Sequence, residues 1–220
     1  MYQEADRQLA KIQSFLKEEA LHLDTMSFDE LHSVSTKTVT TKLMKRLKKK
    51  NKNSFLLCAI KAYKDAVEIA HKKGWEGKGE DLTEAWLLGY LGDYNYVTGY
   101  LYDPESERKR LRLSEAINTA MSFKDRDLYS KEVKRFFSLW WTQTKQYMIG
   151  TVDHAETKAW KDLGVKYAMW VTAEDEKVCE ECGSMHGQIF PLDEFPEKPH
   201  YNCRCRKVPM PKTWKPNGKS

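Results

Sequence analysis

The sequence predicts a mainly α-helical protein, with a multi-helix body followed by a small, loop-rich C-terminal module that contains short strands. Apolar residues recur at helical spacing through most of the chain before Gly164. Six of the seven prolines lie after residue 190, where they exclude long helices. We therefore predict a helical body at 1–163, a module at 164–210 and a basic, proline-containing tail at 211–220.

The first two helices are predicted by apolar spacing and by a capping signal. Leu9, Ile12 and Leu16 lie on one face of the first helix. Ser27, followed three residues later by Glu30, forms a capping box that begins the second helix.

Two further helices are predicted in the middle of the body. One follows Ser54, carries apolar residues on one face and ends near Gly74. The next starts at Asp81, with Glu84 three residues later. The glycines and tyrosines that follow indicate close packing or a break at 89–99.

The last two helices of the body are predicted by their first residues. Asp103 followed by Pro104 is typical of an N-cap and a first helical turn. The longest helix begins near Asp125, and Gly164 ends it after Leu163. Its apolar stripe keeps the helical period, which favours a protein core over a platform for stacking bases. The stripe consists of Val133, Phe136, Phe137, Trp140, Trp141, Thr144, Tyr147 and Met148.

After Gly164 the pattern changes to short, irregular elements. The stretch VKYAMWV at 165–171 is rich in β-branched and aromatic residues, which favours a strand. Thr172 is suited to cap a short helical turn. A module of this size with few large apolar residues needs a metal or another cross-link to fold stably.

Four of the five cysteines lie within this module. Cys179 and Cys182 form a CxxC pair, whose spacing lets two thiolates bind one tetrahedral ion. His200, Cys203 and Cys205 provide three more donors, and 20 residues separate Cys182 from Cys203. In a reducing compartment this pattern favours a structural zinc ion over a disulfide or free thiols.

Five donors compete for the four places on such an ion. An all-cysteine set uses Cys179, Cys182, Cys203 and Cys205, whereas a mixed set uses His200 in place of one of the last two. The sequence leaves both sets open. Because four protein ligands leave no open coordination position, the ion is expected to be structural and not catalytic.

Two other histidines near the cysteines have different expected roles. His186 precedes Gly187 in an expected turn, so we interpret it as a loop residue. His154 and Glu156, followed by the CxxC pair, are similar to a zinc deaminase signature in which a histidine and two cysteines bind zinc and the glutamate transfers protons. Val178 stands where that signature has proline, and no long helix is expected after the CxxC pair, so this enzyme is the weaker alternative.

The net charge of +5 is unevenly distributed. Residues 204–220 carry six basic residues and no acidic one, and a second basic run lies at 42–52. Such runs attract polyanions or are solvated helix ends and tails, and the sequence leaves both interpretations open. Prolines are expected to keep the tail extended. Non-specific contact with DNA, or docking on a partner protein, is predicted for Arg204, Arg206, Lys207, Lys212, Trp214, Lys215 and Lys219.

The chain is expected to be a soluble protein made in the cytoplasm. Its N-terminal segment mixes both charges among the apolar residues, unlike a secretory signal. No segment approaches the roughly 20 apolar residues that a membrane span needs. We therefore expect no membrane partner.

The C-terminal pattern resembles that of a known family. A tryptophan, an acidic turn with CxxC, a glycine turn, a histidine and Cys-Arg-Cys follow one another as in phage head morphogenesis proteins, the minor capsid family of the Mu F type. The resemblance covers roughly residues 160–210, with Tyr201 where the family often has proline. It is carried by Trp170, Asp175, Cys179, Cys182, Gly187, Phe190, Pro199, His200, Cys203, Arg204, Cys205 and Pro209.

This resemblance implies a minor structural protein of a tailed-phage head, without catalytic activity. It implies a position near the portal vertex, a role in head assembly and DNA packaging or delivery, and assembly in the host cytoplasm. The expected partners are the portal protein, a major capsid or scaffolding protein, and packaged DNA. A zinc-containing nucleic-acid-binding protein is the alternative class.

Overall fold

The computed structural model describes residues 3–93, 105–173, 178–199, 203 and 205–216. Within these ranges the chain is mainly α-helical, and short strands are confined to its C-terminal part, as predicted. The helices are α1 (Gln3–Thr25), α2 (Phe28–Val34), α3 (Thr36–Lys72), α4 (Glu84–Asp93), α5 (Glu105–Ser122), α6 (Arg126–Asp162) and α7 (Glu180–Met185). The strands are β1 (Tyr167–Val171), β2 (Ile189–Pro191) and β3 (Arg206–Pro209), and a 3₁₀ turn spans Leu192–Glu194.

The first two helices follow the predicted pattern. On α1, Ile12 and Leu16 are buried and Leu9 is half-buried. At the start of α2, the Ser27 hydroxyl accepts a hydrogen bond from the Glu30 N–H at 3.2 Å. The Glu30 carboxylate accepts one from the Ser27 N–H at 2.7 Å, so both halves of the predicted capping box are formed.

The third helix begins earlier than predicted. It starts at Thr36 and passes through Ser54, which is buried inside the helix instead of preceding it. The basic run at 42–52 therefore belongs to α3. This segment is helical because buried side chains recur every four residues beneath the charged ones. These buried side chains are Leu43, Leu47, Asn51 and Phe55.

Two helices end at the predicted glycines. Gly74 follows α3 with a φ of 82°, and Gly164 follows α6 with a φ of 77°. In both places the N–H after the glycine donates to the carbonyl four residues before the glycine, at 3.1 Å and 2.9 Å respectively. This is the Schellman motif, in which glycine adopts the left-handed conformation without steric cost.

The fourth helix begins later than predicted. The Thr83 hydroxyl caps α4 by accepting a hydrogen bond from the Trp86 N–H at 3.2 Å, whereas Asp81 lies before the helix. The helix continues through Gly89. The rest of the predicted break, and the predicted helix start at Asp103 and Pro104, lie outside the described residues.

Helix α6, which has the same length as α3, confirms the predicted aromatic core. The Asp125 carboxylate caps α6 by accepting a hydrogen bond from the Leu128 N–H at 2.8 Å. Phe136 and Trp141 are half-buried at the edges of the stripe. The other members are buried in protein and so are not exposed for base stacking: Val133, Phe137, Trp140, Thr144, Tyr147 and Met148.

The three strands form one antiparallel sheet in the order β2-β1-β3. The strand predicted at 165–171 corresponds to β1. Ala168 of β1 pairs with Phe190 of β2 and with Pro209 of β3, and Ala168 and Trp170 are buried on the same side. Because Val171, the last residue of β1, pairs with Arg206, the first residue of β3, the chain that leads into β3 arrives beside the end of β1.

The described residues form two compact units, and the predicted domain boundary at Leu163 stays a prediction. One unit contains 58–82 and the described residues from 149 onward, and the other contains 3–57 and the described residues of 83–148. The division between these two units runs through α3 and α6. The C-terminal module shares its unit with the last turns of both long helices.

Specific hydrogen bonds hold the first of these units together. The indole N–H of Trp160 on α6 donates to the Ala66 carbonyl on α3 at 3.0 Å. The indole N–H of Trp75, just after α3, donates to the Met210 carbonyl at 2.7 Å. Trp160 is fully buried, so α3, α6 and the end of the sheet share one core.

None of the helices in the described ranges combines the length and the hydropathy that a bilayer-spanning segment requires.

Candidate metal centre

The first two cysteines are positioned by the short helix α7. Cys179 is its N-cap, and the Cys179 sulfur accepts a hydrogen bond from the Cys182 N–H at 3.3 Å. A residue at the N-cap and one at the third helical position face each other across this hydrogen bond. The CxxC spacing thereby places both thiols on one side of α7, with Cys182 buried and Cys179 half-buried.

The last two cysteines immediately precede β3 and complete the cluster. The sulfurs of Cys182, Cys203 and Cys205 all lie within 4.8 Å of one another. The sulfurs of Cys182 and Cys203 are 3.6 Å apart, and all of the cysteines are free thiols. Thiolates bound to one zinc ion at about 2.3 Å in a tetrahedron lie about 3.8 Å apart, so these distances fit such an ion.

The cluster is surrounded by apolar side chains. Trp170 of β1 stacks on Phe195 with ring centroids 5.7 Å apart, and both pack around the thiols. Burial in this environment, reinforced by the neighbouring thiols, raises the pKa of the Cys182 thiol. A bound cation has the opposite effect, because it stabilises the thiolates that coordinate it.

The structure brings together three of the five predicted donors and places a fourth beside them. Cys179 adjoins Cys182, whereas His200 lies outside the described residues. Both Cys203 and Cys205 lie close to Cys182, and the mixed ligand set would leave one of them out. The described residues therefore bring both Cys203 and Cys205 to Cys182, and the choice between the two predicted ligand sets stays open.

The loop role predicted for His186 is confirmed. His186 follows the last residue of α7, and Gly187, at a φ of 76°, turns the chain towards β2. The His186 Nδ1 accepts a hydrogen bond from the Thr172 N–H at 3.2 Å and lies 2.8 Å from the Thr172 hydroxyl. The helical turn predicted after Thr172 falls partly at 174–177, outside the described residues.

A comparison with known protein families identifies this region. Residues 116–208 match the family of phage Mu protein F like proteins. The resemblance predicted from the sequence is confirmed, and the match extends upstream of the predicted limit to include the end of α5 and all of α6. No match was found among the curated proteins or the solved structures. The family match supports a phage head morphogenesis protein in general, and with it a capsid-associated structural protein.

The Mu F-like region, as we call residues 116–208, does not form the deaminase arrangement. His154 is exposed on α6. Among the described residues, the group of ligand atoms that lie within 4.8 Å of one another contains cysteine sulfurs but no atom of His154 or Glu156. The helix after the CxxC pair is six residues long, too short for the long helix that a deaminase needs. The described residues therefore do not place His154 and Glu156 with the CxxC pair as that alternative requires.

A buried polar set on α6 was missed by the sequence interpretation. Asp153 pairs with Lys198 at 2.8 Å, and the Lys207 ammonium donates to the Thr157 hydroxyl at 2.9 Å. Glu156, between them on the same helix, is only 1% exposed, and neither of its carboxyl oxygens has a hydrogen-bond partner. The two lysines flank the segment that carries the last two cysteines, so this set attaches that segment to α6.

Burial, followed by the charge of Asp153, raises the pKa of Glu156 to about 8. Burial also lowers the pKa of Lys207, although the charges of Asp153 and Glu156 oppose this effect. The only sequence signal for this set was three polar residues, at 153, 156 and 157, within one turn of a mostly buried helical segment.

The pH dependence of stability should report on this carboxyl group. Folded Glu156 keeps its proton up to about pH 8, whereas a glutamate in the unfolded chain loses it near its ordinary pKa of about 4.3. Between these two pH values the folded state binds more protons than the unfolded state. The contribution of Glu156 to stability is therefore complete below the lower value and falls as the pH rises towards 8. The slope from one such group is at most about 1.4 kcal/mol per pH unit.

Denaturant unfolding of the wild type and of Glu156→Gln at pH 5 and pH 8 measures this effect. We expect the wild type to lose stability between the two values and the variant, which is neutral at both, to lose much less. Glu115→Gln, at an exposed position, is the control and should behave as the wild type does. Equal losses in the wild type and Glu156→Gln would contradict the prediction.

The basic tail is folded in the described residues and not extended as predicted. The Trp214 N–H donates to the Pro211 carbonyl at 2.9 Å, which closes a turn. The Trp214 ring packs edge-on against Tyr167 of β1, with centroids 5.1 Å apart, and so anchors the tail on the protein. The Lys212 N–H donates to the carbonyl of Lys73 at 3.0 Å. Tertiary contacts therefore override the extended preference of the prolines.

The six basic residues among the predicted contact residues fall into three groups. Lys207 points towards α6, as described above, so its ammonium group is not on an open surface. Arg206, Lys212 and Lys215 are exposed, although Lys212 also lies 3.7 Å from the Glu76 carboxylate. The remaining two, Arg204 and Lys219, lie outside the described residues.

Proposed function

We propose that this protein is a minor structural protein of a tailed-phage head, positioned at the portal vertex and acting in head assembly and in DNA packaging or delivery. The observation that carries the proposal is the family match of residues 116–208, which includes all four cysteines of the thiol cluster. A closed cluster of buried thiols suits a structural role, because it provides no open coordination position for a substrate.

We further propose that Cys179, Cys182, Cys203 and Cys205 hold one structural zinc ion. Sulfur donors select zinc among the common divalent ions, and the sulfur spacing given above fits a tetrahedral ion. The ion cross-links α7 to the segment before β3, two parts of the chain that are otherwise joined by short strands and turns. In small metal-binding domains such an ion contributes about 10 to 16 kcal/mol of apparent folding free energy at neutral pH.

The partner proposed for the exposed part of the tail is the portal protein, with a capsid or scaffolding protein and packaged DNA as further partners. Trp214 and its turn give the tail a fixed position on the protein. Arg206, Lys212 and Lys215 then present positive charge from a defined surface, which suits an acidic patch or a phosphate backbone.

Locating the chain in purified heads tests this function. We expect the protein to co-purify with heads and to be retained on portal rings isolated from them. A triple variant should be incorporated less into heads; it combines Lys212→Gln, Lys215→Gln and Lys219→Gln. Measuring how this variant binds a DNA duplex then distinguishes the loss of a protein contact from the loss of a DNA contact. Absence from both heads and portal rings, together with intact DNA binding, would instead support the alternative of a zinc-containing nucleic-acid-binding protein.

A further inference from the structure

The basic run on α3 has no role in the metal centre or in the proposed tail contacts. Residues 37–52 contain eight basic residues, and α3 has no acidic side chain before Asp65. Like charges three or four positions apart on a helix, such as Lys45 and Lys49, repel each other. This run therefore concentrates positive charge without acidic neighbours on its own helix.

Part of this charge is balanced by other elements of the same unit. The Arg46 guanidinium makes two hydrogen bonds to the Glu19 carboxylate of α1, at 2.7 Å and 2.5 Å. The Lys52 ammonium lies 2.6 Å from the Glu84 carboxylate of α4. The positive charges of Arg46 and Lys52 are therefore paired with carboxylates of the same chain.

Three lysines of the run face solvent on one side of the helix. Lys42, Lys45 and Lys49 are spaced three and four residues apart, which places them on one face, and all three are exposed. No carboxylate among the described residues forms an ion pair with any of them. The buried side chains of Leu43 and Leu47 point to the opposite side, so packing fixes this face outward.

We propose that Lys42, Lys45 and Lys49, here called the α3 lysine face, bind the phosphate backbone of nucleic acid. Lys42 and Lys49 are seven positions apart, or about 10 Å at 1.5 Å per residue, which matches about three steps along one DNA strand. Lysine is a flexible point charge, so the contacts are to phosphates and carry no base sequence information.

The composition of the face favours a phosphate backbone over a protein partner. Its exposed neighbours on the helix, Thr41 and Asn53, are polar. Protein interfaces have an apolar, fully buried centre, whereas nucleic-acid interfaces are polar and strongly positive, as are the three side chains of this face. The face also lies outside residues 116–208, so it stands independently of the family match and of the zinc ion.

The test compares two triple variants of the full chain in binding to short DNA duplexes. Lys42→Gln, Lys45→Gln and Lys49→Gln remove the α3 lysine face. Lys17→Gln, Lys78→Gln and Lys131→Gln are the control, because these lysines are exposed and scattered and their replacement changes the net charge equally, from +5 to +2. Both sets of positions accept glutamine, and circular dichroism verifies that the helix content is retained.

We expect the first variant to bind DNA at least about tenfold more weakly than the control at low salt, equally for two unrelated sequences. The slope of log affinity against log salt should fall by about 0.9 for each lost phosphate contact, or up to about 2.7 for three. The melting temperature should not fall, because removing neighbouring like charges relieves repulsion on α3. Equal affinities for the two variants, or wild-type affinity in the first, would overturn the proposal.

Discussion

Cys182→Ser is expected to abolish stoichiometric zinc binding and to expose the C-terminal module to proteases. The Cys182 sulfur lies within 4.8 Å of the sulfurs of Cys203 and Cys205, and the Cys182 N–H donates a hydrogen bond to the Cys179 sulfur. A serine hydroxyl at this position is a poor ligand for zinc, so the loss includes much of the folding free energy that the ion supplies. We expect cleavage sites to appear within residues 165–210.

Most of the far-UV helix signal should survive in this variant. The unit formed by 3–57 and 83–148 has its own buried core, with Ile12, Leu47 and Trp140 among its members. Helical residues 58–72 and 149–162 share a unit with the module and should lose part of their protection from hydrogen exchange.

Cys58→Ala is the matched control for the zinc measurement. Cys58 is buried on α3 and is not a member of the thiol cluster, so its replacement should leave about one zinc per chain by elemental analysis. Wild-type protein purified without chelators should contain the same amount. A metal-free wild type with a protease-resistant module would exclude the zinc ion, and global unfolding of Cys182→Ser would show that the whole chain depends on it.

Local signals in the sequence were sufficient for most helix ends. The Ser27 capping box, the Asp125 cap and the glycines at 74 and 164 depend only on residues within a few positions of one another. The start of α3 was missed because seven basic residues in the run at 42–52 obscure the four-residue spacing of the buried side chains beneath them. Basic residues dominate the composition of this segment, but the spacing of its buried residues determines that it is helical.

Non-local contacts account for the remaining differences. The CxxC and Cys-Arg-Cys spacings predicted that the cysteines would cluster, because ligand spacing is a local property. Nothing in the sequence showed that Glu156 would be buried beside Lys207, since that contact depends on how β3 docks on α6. The conformation of the tail also depends on a non-local contact. Its prolines predict an extended chain, whereas the packing of Trp214 against Tyr167 holds it in a turn.

Trp160→Ala is expected to be among the most destabilising single substitutions in the unit that contains the module. The Trp160 side chain is fully buried between α6 and α3, and removal of a buried tryptophan costs about 3 to 5 kcal/mol. The effect should extend to the metal centre, because β1 begins seven residues after Trp160 and contributes Trp170 to the wall of the thiol cluster. Denaturant unfolding and zinc retention during dialysis against a weak chelator measure the two effects.

Trp160→Phe separates packing from hydrogen bonding at this position. Phenylalanine retains most of the apolar area but loses the indole N–H that donates to the Ala66 carbonyl. That carbonyl is within α3, where a helical hydrogen bond also satisfies it, so the loss should be only about 0.5 to 1.5 kcal/mol. We therefore expect Trp160→Phe to retain zinc nearly as well as the wild type, and Trp160→Ala to lose it faster. If both variants lost stability and zinc equally, the hydrogen bond, and not the packing of the ring, would be what joins α6 to α3 beneath the metal centre.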